Sequence, residues 1–327
     1  MPKKQTVFLV GATGETGASI LDAMLEDGSF EITCFIRAAS ANKPAVQDLR
    51  DRGGGIKVVT GDLSGPIEDT VSLLRGIETV ISSIFAPNVF EQDPLIDAAA
   101  KAGVKRFVPC NWATPAARGG IMQIRDLKEQ CHDRILRHRL GYTVIDVGYW
   151  YEMSIPRVPS GKIDSAIVLP INEVYAGGTA PNMLVAKKDV GRFTVRIIKD
   201  KRTLNKKVYG YGAVLSQNDI NDIVAEKSGE KLDLVAKSAE DVQTSLNAAE
   251  KKLAEDPSNV QNMYLLAHAQ YCNTKYVRAD NTPENAEYLG YINGRGLYPD
   301  FEWMNFADFV KNLLAGEVKR PYPHLTL

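Results

Sequence analysis

The chain is 327 residues long and 44% hydrophobic, with 39 basic against 40 acidic residues and a net charge of −1. That length supplies core material for one large or two modest domains. The balanced charge, with no face-sized basic block, argues against nucleic-acid binding, and no apolar run approaches the roughly 18 residues of a membrane span.

Met1 to Thr6 run into the first apolar segment without the apolar core of a signal peptide, so a cytoplasmic protein is expected. Cys34, Cys110, Cys131 and Cys272 are scattered without C-x-x-C or Cys/His spacing and read as reduced thiols. His132, His138, His268 and His324 form no ligand constellation, and no metal is expected.

The first element is the wholly apolar strand Val7 to Val10. It meets Gly11-Ala12-Thr13-Gly14-Glu15-Thr16-Gly17 and continues into a helical pattern through Ile20, Met24 and Leu25. Strand, glycine turn and helix in that order allow close backbone approach and direct the first helical N–H groups at a pyrophosphate. Gly11, Thr13, Gly14, Glu15, Thr16 and Gly17 are therefore cofactor-binding candidates. The spacing is G-x-x-G-x-x-G rather than G-x-G-x-x-G, so the flanking elements carry the assignment.

The second strand, Ile32 to Ile36, ends in Arg37 where an NAD site would place a carboxylate on the ribose. A guanidinium there suits a 2′-phosphate, with Lys43 as a second positive charge, and NADPH is the expected cofactor.

Helix and strand then alternate. A polar helix near Lys43 to Arg52 precedes a strand at Ile56 to Thr60, and a helix near Ile67 to Leu74 precedes a strand at Thr79 to Ile84. A helix at Asp93 to Ala102 and a strand at Arg106 to Pro109 follow. This alternation predicts an α/β fold, a Rossmann-type doubly wound parallel sheet. Gly61-Asp62-Leu63 and Ser82-Ser83-Ile84-Phe85 fall on its carboxyl edge, where ligands bind, which makes Asp62, Leu63 and Ser82 candidates.

In Ile124 to Ile135, Leu127, Cys131 and Ile135 recur at helical spacing and Lys128 flanks the buried stripe. Gly141 is expected to end this helix as a left-handed cap before the strand Tyr142 to Val147. A half-buried lysine can act as a general acid or base, although lysine on a helix is usually solvated. Neither Tyr142, Tyr149 nor Tyr151 has a lysine four residues on; the one Tyr-x-x-x-Lys match, Tyr271 to Lys275, reads as structural.

Gly148-Tyr149-Trp150-Tyr151-Glu152-Met153 follows. It offers Tyr149 to the cofactor and Trp150, Tyr151 and Met153 to a flat apolar substrate, or else packs as core. Beyond it, periodicity is less regular. Strand-like segments lie at Ser165 to Leu169, Asn182 to Val185 and Lys207 to Gly210. Ser216 caps a helix through Lys227, Ser238 to Asp241 open a run from Val242 to Leu253, and Phe306 to Leu314 is a last amphipathic helix. Residues 1–151 are expected to form the cofactor domain. Residues 152–327 should form a smaller α+β substrate lobe, interleaved with the first.

These motifs together resemble the isoflavone reductase-like and phenylcoumaran benzylic ether reductase-like proteins, within the NmrA-like, atypical short-chain dehydrogenases. The carriers are the Gly11 to Gly17 turn, Ile36-Arg37, Gly61-Asp62-Leu63, Gly103-Val104-Lys105-Arg106-Phe107-Val108-Pro109, the Lys128 helix running to Tyr142-Thr143, Asp189-Val190-Gly191, Arg202-Thr203-Leu204-Asn205-Lys206 and Leu215-Ser216. The resemblance implies NADPH at the glycine turn with Arg37 on its 2′-phosphate, and it puts Lys128 at the family's catalytic lysine.

One departure stands out: plant members carry Pro-Ser-Glu-Phe-Gly where this chain has Pro109-Cys110-Asn111-Trp112-Ala113. Asn111 and Trp112 would border nicotinamide and substrate, so the plant substrates do not carry over. The expected function is an NADPH-dependent reductase of a small aromatic or conjugated enone, ketone or benzylic ether, as a monomer or homodimer. A non-catalytic NADP(H)-sensing regulator is the alternative.

Overall fold

The computed structural model describes residues 3–84, 86–168 and 172–323. Phe85, Leu169 and His324, named above, lie outside them. The elements run β1 (Gln5–Val10), α1 (Glu15–Asp27), β2 (Phe30–Arg37), α2 (Pro44–Asp51), β3 (Lys57–Gly61), α3 (Ile67–Leu74), β4 (Thr79–Ser82), α4 (Asp93–Ala102), β5 (Arg106–Val108), α5 (Gln123–Arg137) and β6 (Thr143–Val147). Then come β7 (Tyr149–Trp150), β8 (Glu173–Tyr175), β9 (Asn182–Val185), α6 (Lys187–Lys199), β10 (Lys206–Gly210), β11 (Ala213–Leu215), α7 (Gln217–Ser228), β12 (Val235–Lys237), α8 (Ala239–Glu255) and α9 (Val260–Cys272). A π-helical turn, Asn273–Val277, then α10 (Pro283–Tyr288), β13 (Ile292–Asn293), α11 (Gly294–Leu297) and α12 (Phe306–Leu314) follow.

The chain divides into two units that do not follow the expected cut at residue 151. The first holds Met1–Trp112, Asp126–Asp146 and Lys188–Val208; the second holds Ala113–Arg125, Val147–Lys187 and Tyr209–Leu327 and is not the smaller. Residues 188–208 belong to the first unit because Arg106 ties them in. From β5 its buried guanidinium donates to Thr143 Oγ1 (3.0 Å), the Ile197 carbonyl (3.2 Å), Thr203 Oγ1 (2.8 Å) and the Asp200 carbonyl (2.8 Å). A buried guanidinium needs its donors filled, and the Arg202-Thr203 run supplies acceptors after α6.

In the first unit five parallel strands take the order β3-β2-β1-β4-β5. Beyond β5, Phe107 makes an isolated parallel bridge to Tyr142, the residue before β6. The strand order is the doubly wound one, with the reversal point at β1 and β4. Phe8, Val10, Val80 and Phe107 pack with Leu95, Ile96 and Ala99 of α4 and with Cys131 and Ile135 of α5 in one buried cluster. The predicted stripe of α5 is thus its core face.

Gly141 is not the cap of α5. Arg139 (φ +53°) takes the left-handed position, and the Leu140 N–H returns to the Ile135 carbonyl. Gly141 instead lets two chains touch, since a Cβ there would lie 2.2 Å from the Lys105 carbonyl oxygen. Its own carbonyl accepts the Phe107 N–H at 2.7 Å.

In the second unit β11-β9-β7 form a small sheet, and β12 pairs with β8. The segment at Ser165 is not a strand. Asp164 and Ala166 donate to carbonyls three residues back, and these consecutive turns bury Ile163, Ala166 and Ile167 together with Tyr151 and α12. Packing in place of pairing answers their hydrophobicity. Ser216 caps α7 and Ser238 opens α8 as expected, and each forms a reciprocal box, with Asp219 and Asp241 respectively. Among the described residues no helix is long and apolar enough to cross a membrane, and no group of His, Cys, Asp and Glu is arranged for a metal ion.

Candidate active site

The glycine turn of the first unit is folded against the end of β4. Gly11 (φ +86°) approaches so closely that a Cβ would sit 2.2 Å from the Ser83 carbonyl oxygen. At Gly17 a Cβ would sit 2.0 Å from the Gly11 oxygen. Gly14 is the N-cap of α1 and no side chain caps it. The first-turn N–H groups therefore offer donors and the positive dipole end to an anion. Thr13 is exposed, and Glu15 and Thr16 are half-buried beside them.

Arg37, at the end of β2, is 58% exposed and forms an ion pair with Glu91 at 3.3 Å. Lys43 is exposed at the N-cap of α2, a short turn further on. Asp62 is engaged locally: one carboxylate oxygen accepts the Ser64 hydroxyl and N–H, and these bonds hold its pKa below the usual value. Leu63 turns into the core beside α3.

Lys128 lies on α5 and is 4% exposed. Its Nζ donates to the Cys110 carbonyl at 2.7 Å and to the Asn111 carbonyl at 2.8 Å. That loop is itself held: the Cys110 N–H donates to Gln92 Oε1 (3.1 Å) and the Cys110 thiol to the Ile84 carbonyl (3.0 Å). Trp112 adopts φ +38°, fixed by its N–H to the Ile145 carbonyl (2.8 Å) and its indole N–H to Thr194 Oγ1 (3.0 Å). Positive φ is costly for a bulky residue, so surrounding bonds must impose it.

Ser82 Oγ, Gln92 Nε2 and Asn111 Oδ1 are buried without hydrogen-bond partners among the described residues. A buried polar atom left so costs about 1–3 kcal/mol unless a ligand or water completes it. These three sit just beyond or at the carboxyl ends of β4 and β5, where the nicotinamide half of a dinucleotide lies in such folds. With the glycine cradle and uncapped α1, the residues fit a dinucleotide. Gln92 escaped the sequence reasoning because an uncharged residue before the Asp93-Pro94 helix start carries no motif; its role comes from folding against Cys110.

The aromatic segment lies in the second unit. Tyr151 is not a substrate wall. Its ring is fully buried between Phe306 and Phe309 and its hydroxyl donates to the Met304 carbonyl at 3.0 Å. Trp150 is buried and stacks on Tyr322, Met153 is half-buried in a short 3-10 turn, and Tyr149 packs against Tyr271.

The NmrA-like family model matches residues 3–310. The chain belongs to the NmrA-like family. Among family relatives, asnovolin J 5′,6′-dehydrogenase from Aspergillus novofumigatus (strain IBT 16806) is 39% identical over 95% of each chain. A probable pinoresinol-lariciresinol reductase from Arabidopsis thaliana is 27% identical over 95% of this chain and 98% of its own. The fold recurs in leucoanthocyanidin reductase with NADPH from Vitis vinifera, with TM-score 0.79, 18% identity and coverage of 95% and 99%. It recurs also in AtPrR2 with NADP+ and (+)pinoresinol, with TM-score 0.78, 20% identity and coverage of 96% and 100%. The Rossmann-type parallel sheet expected from the sequence is thus the family's own.

Proposed function

We propose that this protein, an NADPH-dependent oxidoreductase, transfers hydride to a small aromatic or conjugated enone, ketone or benzylic ether, with Lys128 as the general acid/base. The observation that carries the reading is the Lys128 amine. It is buried and held by two backbone carbonyls, in the same unit and at the same sheet edge as the glycine cradle. A lysine placed only for solubility would leave its ammonium in water.

The residues divide the work. Gly11, Gly14 and Gly17 admit the pyrophosphate to the N-terminus of α1. Arg37 exchanges its exposed partner Glu91 for the 2′-phosphate, a charge-assisted contact that NADH lacks. Ser82, Gln92 and Asn111 complete their open hydrogen bonds on the nicotinamide half. NADPH supplies the hydride, and Lys128 donates the proton that neutralises the oxygen or leaving group. A proton donor so placed contributes about 10²–10⁴ in rate. The relative named as a dehydrogenase supports a reversible hydride step, with Lys128 accepting the proton in the other direction.

The test is NADPH oxidation by the purified protein over aromatic enones, ketones and benzylic ethers, with NADH and the reverse reaction with NADP+ run in parallel. Substrate-dependent turnover preferring NADPH is expected. Tight NADPH binding without turnover overturns the reading in favour of a dinucleotide-sensing regulator.

A further inference from the structure

The two carbonyls that hold Lys128 belong to successive residues, Cys110 and Asn111. Along an extended chain successive carbonyls point to opposite sides, so both can meet one amine only if the chain turns as it leaves β5. Trp112 makes that turn. The Asn111 carbonyl lies in the rigid peptide plane that swings about the Trp112 N–Cα bond, so the +38° φ of Trp112 sets where this oxygen points. Among the described residues, Trp112 is the buried one of the non-glycine residues at positive φ, at 8% exposure. Glycine takes this conformation without strain and a bulky side chain does not. The turn by itself therefore does not account for an indole at 112, but its anchor does.

That anchor is Thr194, fully buried on α6. Its hydroxyl donates to the Val190 carbonyl at 2.8 Å, one helical turn back, which leaves an oxygen lone pair for the indole N–H at 3.0 Å. The Trp112 N–H donates to the Ile145 carbonyl of β6 at 2.8 Å. The turn is thus fastened to two elements, and Lys128, Trp112, Ile145 and Thr194 all belong to the first unit. Valine has the shape of threonine but offers the indole no acceptor, whereas serine does.

We propose that Trp112, anchored on Thr194, is a positioning residue for Lys128. It acts through the Asn111 carbonyl and fixes the direction in which the amine gives or takes its proton. The inference rests on the reading of Lys128 as the general acid/base. It also gives Trp112 a role other than the substrate contact expected from the sequence, because the indole N–H is bonded inside the fold.

The experiment compares wild type with Trp112→Phe, Thr194→Val and Thr194→Ser. Each protein, without substrate, is treated with limiting N-hydroxysuccinimidyl acetate, and acetylation is mapped lysine by lysine by mass spectrometry, which reads the hold on Lys128 without turnover. Losing the buried indole bond should speed Lys128 acetylation by about 5- to 100-fold in Trp112→Phe and Thr194→Val. Lys207, half-buried in the same unit, should keep its rate, and Thr194→Ser should match wild type. An unchanged Lys128 overturns the proposal. So does an equal rise at Lys207, the mark of a generally loosened fold.

Turnover of 4-phenylbut-3-en-2-one with NADPH tests the consequence. Thr194→Val should lower kcat by about ten- to a hundredfold with KM little changed, and should cost nothing further in the Lys128→Ala background. A full additional loss in that background overturns the proposal. An undiminished kcat in Lys128→Ala alone overturns the acid/base reading instead, while acetylation still decides whether Trp112 holds the amine.

Discussion

Lys128 and Lys275 are equally buried, each 4% exposed, yet the fold treats them in opposite ways. Lys128 meets the carbonyl oxygens of Cys110 and Asn111, dipoles that take its N–H donors and fix its direction. Lys275 meets the faces of Tyr149 and Tyr276 and one hydroxyl, cation–π and hydrogen-bond contacts that replace part of the water its amine loses on burial. Burial alone therefore does not define a lysine's chemistry; the polarity of the wall does. The first arrangement fixes the direction of an amine, and in the second burial lowers the amine's pKa.

The sharpest test of the carbonyl-held lysine is Lys128→Ala. Turnover should fall by about 10²–10⁴ while the NADPH Kd stays within a few-fold. Retained kcat with weakened NADPH binding would instead assign Lys128 to the nicotinamide ribose. An exposed cation provides the contrast. Arg37→Ala should cost NADPH about 1.5–3 kcal/mol of binding, roughly ten- to a hundredfold in Kd, and leave NADH nearly unchanged. Its pair with Glu91 is solvent-exposed on both sides, so stability should move by less than about 1 kcal/mol in thermal unfolding.

The carbonyl cradle is breakable at one remove. Gln92→Ala leaves the buried Cys110 N–H unpartnered and frees the loop that carries both carbonyls. A kcat loss of about tenfold with little change in substrate KM is expected, and an unchanged kcat would show that the loop holds Lys128 without Gln92.

The aromatic site is read through pH and stability. Lys275 titrates near 7 in the fold against 10.5 as its ordinary value, so between these limits the unfolded chain binds more protons. Its contribution therefore opposes folding in full below pH 7 and is relieved as pH rises from about 7 to 10.5, with a slope of up to about 1.4 kcal/mol per pH unit. Urea unfolding of wild type against Lys275→Met should show that slope in the first and its absence in the second. Equal pH profiles would mean that the amine is paired or solvated.

Local pattern made much of the molecule legible before folding. The glycine turn, the β-α alternation and the Ser216 and Ser238 capping boxes are short-range, because turn geometry, strand burial and helix capping are decided within a few residues of chain. The Lys128 helix was readable as amphipathic for the same reason, and the family resemblance singled out its lysine.

What needed the folded chain were the contacts between residues distant along it. Gly141 looked like a cap and is a point of close approach to Lys105; Tyr151 looked like a ligand wall and is core between Phe306 and Phe309. The segment at Ser165 has a strand's hydrophobicity without a partner strand among the described residues. Gln92 acquires its role from Cys110, 18 positions away, and Lys275 acquires its chemistry from Tyr149 on another element. Residue type sets what a side chain can do, but desolvation and partner dipoles set what it does. Both are properties of the neighbours that tertiary packing selects, which no local stretch of sequence contains.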